Sequence, residues 1–188
     1  MRKTMENLDM NNILKMTEIK SELELERAIA LYGKLRWMVK ENLSLKSKRD
    51  HLRKLITSFE DKNWSDLNTI GEEQIEASDK AEELIFAEES FIQKRKSLIR
   101  SELKSYGLKQ QELGKILGHR KNYMSELING VRPFSRDDLV IIHRLLAIEL
   151  KDLIPTFIKP EIERHIKLLL RELGKSKLKL KKKDLIVV

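Results

Sequence analysis

The stretch from Gly107 to Pro133, GLKQQELGKILGHRKNYMSELINGVRP, limits the possible folds more than any other part of the chain. Leu113, Ile116 and Leu117 recur at the spacing that lines one face of a helix. Gly118 then stops that helix, because glycine adopts the left-handed conformation of a helix end without steric cost. Met124, Leu127 and Ile128 open a second apolar face, which Asn129-Gly130 ends. The spacing predicts two short helices joined by a tight turn. The second helix is expected to bury Met124 and Leu127 and to turn Lys121, Asn122, Ser125 and Glu126 outward.

Charge is spread unevenly along the 188 residues. Residues 1–92 carry 15 Lys+Arg against 19 Asp+Glu, a net of −4. Residues 93–155 carry 13 against 7 and residues 156–188 carry 10 against 4, each a net of +6, which returns the total of +8. An acidic front half followed by a basic half permits contact with a polyanion without requiring it. The chain has no cysteine, which excludes disulfides, thiolate metal sites and thiol catalysis and suits a reducing cytoplasm. No apolar run approaches the ~20 residues that span a bilayer, and the opening MRKTMENLDMNN lacks the apolar core of a signal peptide, so no membrane association is expected. Leu, Lys and Glu are abundant against three prolines and seven glycines, and the expected fold class is all-α.

Residues 1–20 are polar and weakly patterned and read as a flexible N-terminus. Residues 21–64 read as a helical hairpin. Ser21 caps its first helix with Glu24 as reciprocal partner, and Leu25, Ala28, Ile29, Leu31, Tyr32, Leu35, Met38 and Val39 trace an apolar stripe. Leu52, Leu55, Ile56 and Phe59 form the stripe of the second; Trp37 is expected in the core, and Trp64 at the joint or against a partner. Residues 65–92 read as an acidic linker helix, whose helical pattern begins at Glu72 and runs with little interruption to Tyr106. Eight carboxylates and only Lys80 stand between Glu72 and Ser90, which suits either a solvated face between domains or an element that a basic protein covers.

Residues 93–155 have the pattern of a compact five-helix domain. Phe91, Ile92, Leu98, Ile99 and Leu103 form the apolar face of its first helix, the 107–133 pair follows, Ser135 caps a fourth helix lined by Leu139, Ile142, Leu145 and Leu146, and Ile148, Leu150, Leu153 and Ile154 form a short fifth before Pro155. Residues 156–188 read as a basic C-terminal extension, with a helix from Pro160 to Gly174 carrying Ile162, Ile166, Leu169, Leu170 and Leu173. The closing KSKLKLKKKDLIVV suits either a short strand that pairs with a second copy or a basic tail.

The outward residues of the 121–128 helix have chemistry suited to the base edges of duplex DNA. Asn pairs with adenine, Lys donates to guanine and Glu accepts from cytosine, each good contact contributing about 1–3 kcal/mol of discrimination. Arg120 and Arg132 flank that helix and Gln110 opens the one before it, three positions suited to backbone phosphates. With Gln110, Gly114, Gly118 and Asn129-Gly130, the stretch resembles the Xre-type helix-turn-helix of lambda-like phage repressors. More narrowly, Met124 to Ser135 resembles the HigA-type antitoxins, in which this region commonly reads Ser-Glu, an apolar pair, Asn-Gly, any residue, Arg, Pro, an apolar residue and Ser. The resemblance covers about residues 90–155 and extends weakly to 21–64.

That resemblance implies a lambda-repressor-like DNA-binding domain that binds double-stranded operator DNA as a homodimer, represses its own operon and neutralises a small basic ribonuclease toxin of the RelE-like class. A stand-alone Xre-type repressor without a toxin, and an interaction module that masks a basic partner, are the alternatives. An enzyme is not expected, because the sequence carries no nucleophile motif, no phosphate-cradling loop and no carboxylates paired in a pocket-like context. His51, His119, His143 and His165 stand on separate segments without metal-ligand spacing, so neither a metal nor another cofactor is expected.

Overall fold

A computed structural model describes residues 10–66, 68–155, 158, 160–175 and 177–180. Among them the regular structure is helical, and no strand is present. Eight α-helices follow in order: α1 Glu22–Met38, α2 Lys46–Asn63, α3 Glu72–Ser105, α4 Gln110–Ile116, α5 Lys121–Ile128, α6 Arg136–Leu146, α7 Leu150–Leu153 and α8 Pro160–Glu172. Single 3-10 turns at Ile13–Lys15 and Leu43–Leu45 precede α1 and α2. The all-α class is as expected.

The chain packs around two apolar centres. In the first, Leu25, Ala28, Leu31 and Leu35 of α1 meet Leu52, Leu55, Ile56 and Phe59 of α2, as the hairpin pattern predicts. Met10, Ile13 and Ile19 join them and are almost wholly buried. Residues 10–20 are therefore built into the core, against the expected flexible terminus; residues 1–9 lie outside the described residues. The apolar spacing of this segment was too short to show a period, yet three apolar side chains suffice to seat it on α2. Ser21 Oγ accepts the amide of Glu24 at 3.3 Å, while the Glu24 carboxylate reaches one residue further back, accepting from Lys20 N at 2.8 Å. The cap is thus a variant of the predicted box, shifted by one residue on its second arm.

Trp37 is 71% exposed and does not enter the core. Leu35 and Val39 occupy the buried stripe, and a residue two positions from each points to the opposite side of a helix. Its ring instead carries the ammonium of Lys40 at 4.7 Å. Trp64 is half-buried against the first core and donates Nε1–H to Glu22 at 3.3 Å. Burial raises the Glu22 carboxyl above the usual carboxylate range, and the indole bond pulls it partly back.

The second centre unites Ile99 and Leu103 of α3, Leu113 of α4, Met124, Leu127 and Ile128 of α5, Phe134, Leu139, Ile142 and Leu146 of α6 and its approach, and Ile148 and Leu153 around α7. Leu145, Leu150 and Ile154 were expected to share it and are exposed, since a helix this short buries only one narrow stripe. Ser135 and Asp138 form the reciprocal box that starts α6, with bonds of 3.1 and 3.0 Å. Arg95 is buried beside this core, its guanidinium 5.5 Å from the Phe91 ring and 5.2 Å from that of Phe134, with one bond to Leu153 O.

α3 links the two regions, packing on α1 and contributing Ile99 and Leu103 to the second centre. This 34-residue helix packs on α1, α6 and α7 and is continuous from Glu72 to Ser105, as its helical pattern predicts. The acidic segment is not a bare linker: Glu88 pairs with Arg27 at 3.3 Å and Glu89 pairs with Lys34, both cations coming from α1. Neutralising those two carboxylates removes like-charge repulsion where the helix is packed and leaves it on the outer face. Residues 177–180 have no regular structure, and 176 and 181–188, where the C-terminal strand was anticipated, lie outside the described residues.

Two glycines in the left-handed region separate backbone strain from steric exclusion. Gly118 (φ +74) has open space where a Cβ would go, whereas at Gly130 (φ +67) that atom would lie 2.6 Å from Ile92 Cγ2. Gly118→Ala should cost about 1–2 kcal/mol through its backbone alone. Gly130→Ala should cost distinctly more, read as a lower urea midpoint in chemical denaturation, and equal midpoints would remove the steric part of the argument.

Candidate nucleic-acid interface

The sequence builds the α4 to α5 region around a close approach. A Cβ on Gly114 would sit 3.3 Å from Met124 Cβ, so the missing side chain is what lets α4 lie against α5. Leu113 and Met124 are fully buried at that crossing. Gly118 turns the chain, and His119 N then donates to Gly114 O at 2.7 Å, closing the turn on α4. Ile116, expected in the buried stripe, is half exposed, because the turn leaves only Leu113 and Leu117 on the inner side.

His119 fastens the turn to α6. Its Nε2 lies 2.9 Å from Asp138 Oδ1, and its ring sits 5.0 Å from that of Tyr123. Asp138 thus bonds to both the Ser135 amide and the His119 ring. α5 starts at Arg120, which has extended backbone and no side-chain cap. Arg120, Lys121 and Asn122 are all exposed there, and the first-turn amides of α5 add a partial positive charge. Gln110, at the first position of α4, is half-buried. Ser125 is half-buried too, with its carbonyl accepting Asn129 Nδ2 at 2.8 Å.

Glu126 departs from the expected outward position. It is 6% exposed, its carboxylate accepts from Arg132 Nε, and its carbonyl accepts from Val131 N at 2.9 Å and Arg132 N at 3.3 Å. Helical spacing does turn Glu126 away from Met124, but the loop after α5 folds back over that side and Arg132 covers it. As placed, the Glu126 carboxylate belongs to the fold and not to a base-reading surface. Arg132, expected on a phosphate, is engaged in the same way. Its Nη1 donates to Asn11 at 2.7 Å, and its guanidinium lies 5.3 Å from the Tyr123 ring.

The loop is held from its other side as well. Lys34 Nζ donates to Gly130 O at 3.3 Å, Lys96 Nζ donates to Asn129 Oδ1 at 2.8 Å, and Val131 is buried in the first apolar centre. Burial, with Arg100 and Lys34 nearby, lowers the Lys96 ammonium below its ordinary value. Of the residues singled out in the sequence, the structure gathers Arg120, Lys121 and Asn122 into one exposed group, with Ser125 at its edge and Gln110 on the neighbouring helix. Tyr123, 39% exposed between His119 and Arg132, joins this surface. Sequence reading passed over Tyr123 because its partners lie across a turn and a loop.

No group of His, Asp or Glu among the described residues could hold a metal ion, and no described helix is long and apolar enough to cross a membrane. No protein-family model, curated protein or solved structure matches the chain.

The Glu126 to Arg132 pair is sheltered, with side-chain exposures of 8% and 16%. Removing one partner of such a pair leaves the other charge poorly solvated. Glu126→Ala should therefore destabilise the protein by about 2–4 kcal/mol, whereas Lys121→Ala should stay within about 0.5 kcal/mol of wild type. Thermal and urea unfolding of the two variants measures the contrast; equal stabilities would return Glu126 to the accessible surface.

Proposed function

We propose that this chain is a sequence-specific transcriptional regulator that binds double-stranded operator DNA through the N-terminal end of α5. The observation that carries the reading is the partition of α5: Met124, Leu127 and Ile128 are buried, while Arg120, Lys121 and Asn122 stand exposed together at the helix start. A helix seated in this way on a preceding helix and turn is the arrangement by which a helix-turn-helix offers the first residues of its second helix to the major groove. Lys121 and Asn122 have the donor and acceptor groups to discriminate guanine and adenine. Arg120 and Gln110 suit the flanking phosphates. The net +6 of residues 93–155 supplies the attraction to a polyanion.

The reading is narrower than an antitoxin. The residues on which that resemblance rests have folding duties here: Glu126 pairs with Arg132, Gly130 meets Ile92, Phe134 fills the second core and Ser135 caps α6. They support a repressor-like domain and say nothing of a toxin surface. Co-expression with a neighbouring small basic protein, followed by copurification, tests that further step.

Binding to the DNA upstream of the protein's own gene tests the proposal. Asn122→Ala should lose about 1–3 kcal/mol on that sequence and little on unrelated DNA. Arg120→Ala should weaken both and reduce the salt slope of binding by about 1. Absence of binding at low salt overturns the reading, as does equal loss from Asn122→Ala on every sequence.

A further inference from the structure

Tyr123 holds the third position of α5, next to Asn122, and is 39% exposed. Two neighbours hold its ring. The His119 ring lies 5.0 Å away at a tilt of 51°, and the Arg132 guanidinium lies 5.3 Å from the ring centre. Each neighbour is itself fastened elsewhere. His119 Nε2 lies 2.9 Å from Asp138 Oδ1 in the first turn of α6, while Arg132 donates to Glu126 and to Asn11. The ring is thus placed by contacts that lead into α6, the loop after α5 and the N-terminal segment. A side chain held in this way has given up its rotamer freedom before any partner arrives.

The hydroxyl takes no part in this arrangement. It has no hydrogen-bond partner among the described residues. A hydroxyl without a partner inside the protein is stable only where water reaches it, so this one faces solvent. A phenylalanine would satisfy His119 and Arg132 as well, since both meet the ring and not the oxygen. The position on the helix is equally specific. Asn122 and Ser125 mark the outward side of α5, Met124 and Leu127 mark the buried side, and helical spacing puts Tyr123 between them on one flank. A helix in the major groove turns its outward residues to base edges, and its flanks meet the phosphates that wall the groove.

We infer that Tyr123 is a phosphate contact, its hydroxyl donating to a backbone oxygen of the bound duplex while the clamped ring fixes the donor in place. This inference rests on the DNA-binding reading and adds to it a contact of a different kind from that of Arg120. A phenol carries no charge at neutral pH and releases no counterion, so it adds affinity without adding salt dependence. The alternatives use fewer of these features. A ring kept only to shelter the Glu126 to Arg132 pair has no need of a hydroxyl. A tyrosine that read a base edge would stand on the outward side with Lys121 and Asn122.

The test is binding of the full chain to two duplexes of equal length, the DNA upstream of its own gene and an unrelated sequence, by fluorescence anisotropy over a series of salt concentrations. Tyr123→Phe keeps the ring and removes the hydroxyl. It should weaken binding about 3- to 10-fold on both duplexes and leave both the salt slope and the urea midpoint at their wild-type values. Arg120→Ala, measured beside it, should lower the slope by about 1. Among duplexes that carry a single methylphosphonate, one should weaken the wild type more than Tyr123→Phe, because the variant has already lost the contact. Wild-type affinity of Tyr123→Phe for both duplexes overturns the inference and leaves the DNA-binding reading standing, as does the absence of any such methylphosphonate position. Loss on the upstream sequence alone overturns it in favour of a base edge, and a lowered urea midpoint overturns it in favour of a bond within the fold. A wild type that binds neither duplex at low salt overturns the DNA-binding reading, and this contact with it.

Discussion

Gly130 lies against Ile92 so closely that no side chain could be added there, and much of the molecule depends on that contact. It brings the loop after α5 down onto α3 at the level where the first core gives way to the second. Once the loop is seated, Val131 reaches the first core, Lys34 and Lys96 reach the loop's oxygen atoms, and Arg132 spans from Glu126 to Asn11. The N-terminal helices and the α4 to α7 region are joined by this one segment as well as by α3. Deformation of the loop would therefore be felt in both cores, because packed interiors transmit strain.

The same contact shapes the candidate DNA-binding surface. By covering the C-terminal half of α5, the loop confines its exposed polar face to Arg120, Lys121 and Asn122, with Tyr123 and Ser125 at the margin. His119 and Asp138 hold the other end of that face by linking the turn to α6. A reading helix needs side chains held in fixed positions on a rigid support, and here the support comes from both sides. The charges that complete the loop, Lys34 and Lys96, are partly sheltered and act as structural donors.

Much of this was legible from residue order. The apolar spacing of α1, α2 and α5, the stop glycines and the Ser135 cap follow from local rules, since helical period and cap chemistry depend on residues within one or two turns of each other. The exposed position of Lys121 and Asn122 was legible for the same reason. Glu126 was not, because its burial depends on a loop that returns from six residues away to cover it. Met10 and Ile13 were missed because their partners lie on α2, and Trp37 was misjudged because it stands on the side of α1 opposite the buried Leu35 and Val39.

Sequence by itself determined the helices, their ends, the glycines at the turns and the acidic-to-basic gradient along the chain. These depend on backbone sterics, short-range hydrogen bonds and counted charge. Only the tertiary structure decided that α3 packs on α1 as well as into the second core, that Glu88 and Glu89 meet Arg27 and Lys34, and that Glu126 and Arg132 serve the fold. Each of those outcomes joins residues distant in sequence or turned by a loop, and the free energy of such a contact depends on what else is buried around it, which no local pattern records.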